Sequence, residues 1–138
     1  MTESNIHAHV VATFDVANPN YRVDLHSGRH RWEGDEPESN GGGNAGPSPF
    51  ALWLSGLGAC TAITLRMYAE RKGWDVGGIN VELDYIVDDE AGSHVERRIR
   101  FGNPLDDEQR SRLAEIADKT PVTKVVMAGM RIATQLLA

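Results

Sequence analysis

Cysteine is all but missing from this chain: Cys60 is the only one in 138 residues. A single thiol excludes an intrachain disulfide and any cysteine-rich zinc module. It also fits a reducing compartment, so a cytoplasmic setting is expected. Basic residues are in deficit, with 14 Lys and Arg against 20 Asp and Glu and a formal charge of −6. No run of them exceeds two, which argues against a nucleic-acid or anionic-membrane binder, since both ask for basic clusters. Met1–Asn5 has neither a basic n-region nor an apolar h-region, so no signal peptide is expected there. Long hydrophobic runs are lacking too. The stretch from Pro49 to Leu65 is almost free of charge, but it spans only 17 residues and contains Ser55, Gly56, Gly58, Thr61 and Thr64. A bilayer asks for about 20 apolar residues, so a helix buried in a core or subunit interface is expected rather than a membrane span.

What remains is an ordinary globular composition, 41% apolar and 25% charged, with one domain expected over residues 1–138. Ile6, Ala8, Val10, Ala12 and Phe14 alternate with His7, His9, Val11 and Thr13, the period of a half-buried strand. Turns at Asn18-Pro19-Asn20 and Ser27-Gly28 separate it from strands around Tyr21–Leu25 and His30–Trp32. Glu33–Ser48, with Gly41-Gly42-Gly43, lacks the Gly-Lys-Ser/Thr ending of a phosphate loop and carries Asp35, Glu36 and Glu38. It reads as a flexible surface loop.

Ser48 as N-cap, Pro49 at the first position and Gly73 as C-cap bound a long helix. That helix is apolar on nearly every side up to Leu65. One sheet covers one face only, and the small residues Ser55, Gly56, Gly58, Ala59 and Ala62 would let a second helix approach closely. A homodimer built on this helix is therefore expected.

Ile79, Val81, Leu83 and Tyr85 share one face of a fourth strand, and Val95, Ile99 and Phe101 one face of a fifth. Acids on the former then stand opposite arginines on the latter. Arg97 falls on the apolar side, and snorkelling to the sheet edge is the expected solution. Asp106 with Gln109 forms a capping box for a helix ending near Lys119. Pro121 opens a short segment through Val126, and Met130, Ile132, Thr134 and Leu136 alternate as a closing strand. The fold class is α+β, in the order β-β-β-α-β-β-α-α-β.

Cys60 is the one residue with nucleophilic promise, against the common case of a free cysteine as a small core residue. It lies some three turns into its helix, beyond the reach of the N-terminal dipole. Activation would need a cation from elsewhere, and Arg22, Arg29 and Arg31 are the candidates. The five histidines lack companion ligands at metal-binding spacing, so no metal and no cofactor is expected.

Taken in order, Ser27-Gly28-Arg29-His30, Asp35-Glu36-Pro37, Gly46-Pro47-Ser48-Pro49, the run Leu57–Ala69 around Cys60, Arg71-Lys72-Gly73-Trp74, Leu105–Arg110 and Ile116–Lys119 resemble the OsmC/Ohr family. The closer likeness is to its OsmC-like branch with a Gly-Pro-Ser-Pro helix start. The resemblance implies an intertwined homodimer with two long central helices, and reduction of organic hydroperoxides by two cysteines. Cys60 matches the peroxide-attacking cysteine, and Arg22 is the preferred counterpart of the arginine that helps hold the thiolate. Departures stand where the chemistry lies. Thr120 occupies the position of the second cysteine, Thr123 that of a following histidine, and Phe50 and Ala51 stand where a carboxylate is expected.

Two functions follow from the resemblance. One is a one-cysteine peroxidase that depends on an external thiol reductant. The other is a non-catalytic protein that binds a small apolar ligand at the dimer interface.

Overall fold

A computed structural model describes residues 5–138, so the reading of Met1–Asn5 falls almost wholly outside the described residues. Five strands and three helices follow in the order β1 (Val11–Thr13), β2 (Val23–Ser27), β3 (His30–Gly34), α1 (Pro49–Lys72), β4 (Ile79–Ile86), β5 (His94–Phe101), α2 (Asp107–Ala117) and α3 (Pro121–Ala128). The fold is α+β, and the chain divides into two compact units, one up to Trp53 and one from Leu54 onward.

The first unit is an antiparallel meander, β1-β2-β3, in which Leu25 stands opposite both Ala12 and Trp32. β1 is shorter than the alternation from Ile6 suggests; only Val11–Thr13 pair with β2. Between β3 and α1 the glycine-rich loop is not the flexible loop expected from composition. It is wound around the buried carboxylate of Asp35, which accepts the backbone N–H groups of Glu36 at 2.7 Å, Ala45 at 3.0 Å and Gly43 at 3.3 Å. Backbone bonds from Gly42 N to Pro37 O and from Asn44 N to Glu36 O close the loop further.

The N–H donor of Ala45 does most to hold the Asp35 carboxyl below its ordinary 3.8, outweighing the opposing effect of burial. The other two donors and the Arg22 charge add to it. A lowered folded-state value makes the ionised form a source of stability. That stability is complete above 3.8 and is lost as pH falls through the lower folded value. Between neutral pH and about pH 3, the urea midpoint of the wild type should therefore fall further than that of Asp35→Asn. Parallel midpoints across that range would show that the carboxylate does not organise the loop.

In the second unit β4 and β5 pair over their full length, Ile79 opposite Phe101 and Leu83 opposite Arg97. Glu82 and Asp84 meet Arg98 on the outer face, as the alternation predicts. Helix α1 begins with Ser48 Oγ accepting the Ala51 N–H and stops at Gly73, whose φ of +69° suits a residue without a Cβ. Its buried positions, Leu57, Thr61, Leu65, Tyr68 and Ala69, fall at spacings of three and four, so one face points inward. Leu65, Tyr68 and Ala69 form the core with Val76, Leu113 and Ala117. The capping box of Asp106 and Gln109 is formed, and α2 ends at Ala117, slightly before the expected Lys119.

On the other face of α1, among the described residues, Ile63 is 56% and Met67 63% exposed. The expected closing strand is absent from the described residues. Met130, Ile132 and Leu136 are exposed, and residues 129–138 pair with no strand. Alternation supplies the propensity to be a strand, but a strand exists only on an edge that accepts it.

Candidate active site around Cys60

Cys60 sits in the middle of α1, half-buried, with its thiol free. Its neighbour is set by helix geometry. Thr64, one turn on, places Oγ1 3.9 Å from Cys60 Sγ, at the long limit of a sulfur hydrogen bond. Thr61, adjacent in sequence, turns to the buried face and donates to Leu57 O at 2.7 Å. The thiol therefore lies between the packed face of the helix and its open one.

Arg22, the preferred cation at the sequence level, belongs to the first unit. One of its terminal nitrogens donates to Asn18 Oδ1 at 2.8 Å, and its Nε is buried without a hydrogen-bond partner among the described residues. Its charge also reaches Asp35.

Arg97 departs from expectation. It does not snorkel to the sheet edge but turns inward, leaving its side chain 15% exposed. Nη1 donates to Thr61 Oγ1 and to Thr123 Oγ1, each at 2.9 Å, and Nη2 donates to the Ala117 carbonyl at 2.8 Å. That carbonyl ends α2, where a cation is favoured by the helix dipole. Asp118 is the nearest carboxylate, at 3.6 Å, and is mostly exposed. One guanidinium thus ties β5 to α1, to the end of α2 and to the start of α3.

Thr120, at the position where the resemblance puts a second cysteine, belongs to the same network. It is fully buried and caps α3, accepting the Thr123 N–H while its hydroxyl lies 2.6 Å from Thr123 Oγ1. With Pro121 at the first helical position, Thr-Pro makes a sound helix start. The missing sulfur is plain from the sequence; that the hydroxyl replacing it is a cap was also signalled there, by a threonine before a helix-opening proline.

These features define a mixed α+β protein whose second unit carries one thiol on a long helix. A model of the OsmC-like protein family matches residues 41–135, and the chain belongs to that family. The fold agrees with solved structures of low sequence identity. A Psychrobacter arcticus protein assigned to the osmotic-stress and detoxification response is 21% identical at a TM-score of 0.71, over 83% of this chain and 85% of that one. An OsmC-like protein from Mycoplasma pneumoniae is 16% identical at a TM-score of 0.69, over 89% of each chain. The organic hydroperoxide resistance protein OhrB of Bacillus subtilis is 20% identical at a TM-score of 0.59, over 88% of this chain and 90% of that one. No match was found among curated proteins. Helix α1 is long and apolar enough to cross a membrane; in this family fold it is the central helix.

Proposed function

We propose that the protein is a one-cysteine, thiol-dependent peroxidase that reduces organic hydroperoxides in the cytoplasm as a homodimer, with Cys60 as nucleophile and Arg22 as its activating cation. The observation that carries this reading is the half-buried setting of Cys60. A purely structural cysteine of the core would be closed off, whereas this thiol borders the open face of α1. The dimer is supported by that same face, where Ile63 and Met67 are exposed on an otherwise core-forming helix. Relatives of the same fold include an organic hydroperoxide resistance protein.

The chemistry runs through a single sulfur. The Cys60 thiolate attacks the distal oxygen of ROOH, the O–O bond breaks, and the alkoxide leaves to be protonated as ROH. Cys60 is left as the sulfenic acid. A thiol from outside attacks the sulfenic sulfur, releasing water and forming a mixed disulfide. A second thiol then releases Cys60 and carries away the external disulfide. Thr120 offers no internal route.

That absence favours a second reading, a non-catalytic protein holding a small apolar ligand between subunits. With stoichiometric cumene hydroperoxide and dimedone trapping, the peroxidase should give a rapid adduct of one equivalent at Cys60, read by intact mass, and Cys60→Ser should give none. No adduct over minutes, with the thiol still titratable after denaturation, would leave the ligand-binding reading standing.

A further inference from the structure

The loop between β3 and α1 carries the one Asn-Gly pair of the chain, Asn40-Gly41. Asparagine is thermolabile, and most so before glycine, where no side chain screens the next backbone nitrogen. That nitrogen attacks the asparagine Cγ, the Cγ–Nδ2 bond breaks, and ammonia leaves as a succinimide ring closes. Water then opens the ring at either carbonyl, giving aspartate or isoaspartate. The step needs no reactant but water.

The structure sets this chemistry inside a closed loop. Asn40 ends a short 3₁₀ turn, Glu38–Asn40, whose backbone geometry turns the Gly41 nitrogen away from the Asn40 side chain. The nitrogen is also committed, since the Gly41 N–H donates to Glu38 O at 3.0 Å. The leaving amide is held as well: Asn40 Nδ2 donates to Glu36 Oε2 at 3.2 Å, and the Asn40 N–H to Pro37 O at 2.9 Å. From outside the loop, Asn20 Nδ2 donates to the Gly41 carbonyl at 3.0 Å. On either side of the pair lie the N–H groups of Glu36, Gly43 and Ala45, all bound to the buried Asp35 carboxylate. Both Asn40 and Gly41 are exposed, so water reaches them and conformation alone holds the reaction back.

We propose that Asn40 is a gated modification site: the loop wound on Asp35 keeps Asn40-Gly41 from deamidating, and opening of the loop commits it to a step that does not reverse by itself. The site is independent of Cys60 and of the peroxidase reading. Its product favours the open loop. A carboxylate at position 40 exchanges the donor that held Glu36 for a negative charge beside Asp35, Glu36 and Glu38. Isoaspartate also lengthens the backbone between Pro37 and Gly42, whose 3.1 Å bond closes the loop.

Peptide mass analysis after incubation at neutral pH and physiological temperature tests this, with isoaspartate resolved by its separate elution. Loop opening is fast relative to the chemistry, so the observed rate is the intrinsic rate times the open fraction. Folded wild type should deamidate at Asn40 at least roughly a hundredfold more slowly than the same protein in denaturing urea. Gly42→Ala, whose Cβ would overlap the Glu36 carbonyl, should react at least about tenfold faster than wild type. Arg97→Met, destabilised in the second unit, should keep the wild-type rate. Asn40→Asp should lose amide protection at Gly43 and Ala45. Folded wild type within about threefold of the urea rate has no gate, and that result overturns the proposal. Equal acceleration in Gly42→Ala and Arg97→Met overturns it too, because the route would then be global unfolding. Should Gly42→Ala fail to fold, Asn20→Gly decides. It removes only the donor to Gly41 at a position of positive φ, and a rate no faster than wild type overturns the gate.

Discussion

Arg97→Met should lower the unfolding free energy by about 3 kcal/mol, to be read as a fall in the urea midpoint with an unchanged slope. The figure follows from what the guanidinium satisfies. It supplies the Ala117 carbonyl with its short partner and donates to two hydroxyls on separate helices. Hydrogen bonds from a charged donor contribute about 1.5–3 kcal/mol each, and a methionine of similar length recovers part of the packing but none of the donors. Thr61 keeps its bond to Leu57 O, and Thr123 keeps Thr120, so the loss stays below the sum of three bonds. Arg97→Lys should recover less than half, because an ammonium on a flexible stem does not reproduce the planar fork. Asp118→Asn should change little, since that carboxylate is 84% exposed. An Arg97→Met protein as stable as the wild type would place Arg97 among the buried ionic groups that apolar residues replace without loss.

The same arginine shows where reading the sequence stops. Period-two alternation assigned Arg97 to the apolar face of β5, and that face is where it lies, opposite Leu83. What alternation does not carry is the chemistry across the face. The receiving groups sit on α1, α2 and α3, between 20 and 36 residues away, and their assembly is a tertiary event. Local signals did better. Ser48, Pro49 and Gly73 bounded α1, and Asp106 with Gln109 opened α2, because a cap is decided within one turn of chain. The closing segment had the alternation of a strand at Met130–Leu136, yet residues 129–138 pair with no strand among the described residues, and alternation alone does not name the edge a strand would join.

At the candidate site the same division holds. Cys60 was legible because it is the only thiol, and Thr64 could have been found from its spacing of four on a helix. A recess that joins Thr64 and Arg71 of α1 to Ile116 and Lys119 was not legible, because the last two come from α2 and the loop after it and only the folded second unit brings them together. Thr120 was seen as a loss of sulfur, whereas the structure gives its hydroxyl two jobs, capping α3 and bonding Thr123, itself a partner of Arg97. Restoring a cysteine there would cost the cap as well as alter the redox chemistry.

Gly42→Ala should destabilise the first unit by about 3 kcal/mol, although it adds a single methyl group to a loop. A Cβ on Gly42 would lie 1.9 Å from the carbonyl oxygen of Glu36 and 2.5 Å from its carbonyl carbon. Those are backbone atoms, so no rotamer change relieves the overlap, and the chain itself must move. The moving segment is the one that delivers the Gly43 and Ala45 N–H groups to the Asp35 carboxylate, so the buried anion would lose donors at the same time. Gly28→Ala is the natural comparison: nothing lies within 4 Å of its added Cβ, and only its φ of +57° opposes the change. It should therefore cost about 1 kcal/mol. Hydrogen exchange at the Gly43 and Ala45 amides separates the two, with protection lost in Gly42→Ala and kept in Gly28→Ala. If both variants kept protection at those amides, the overlap at Gly42 would be relieved without disturbing the Asp35 cradle, and the predicted cost would be wrong.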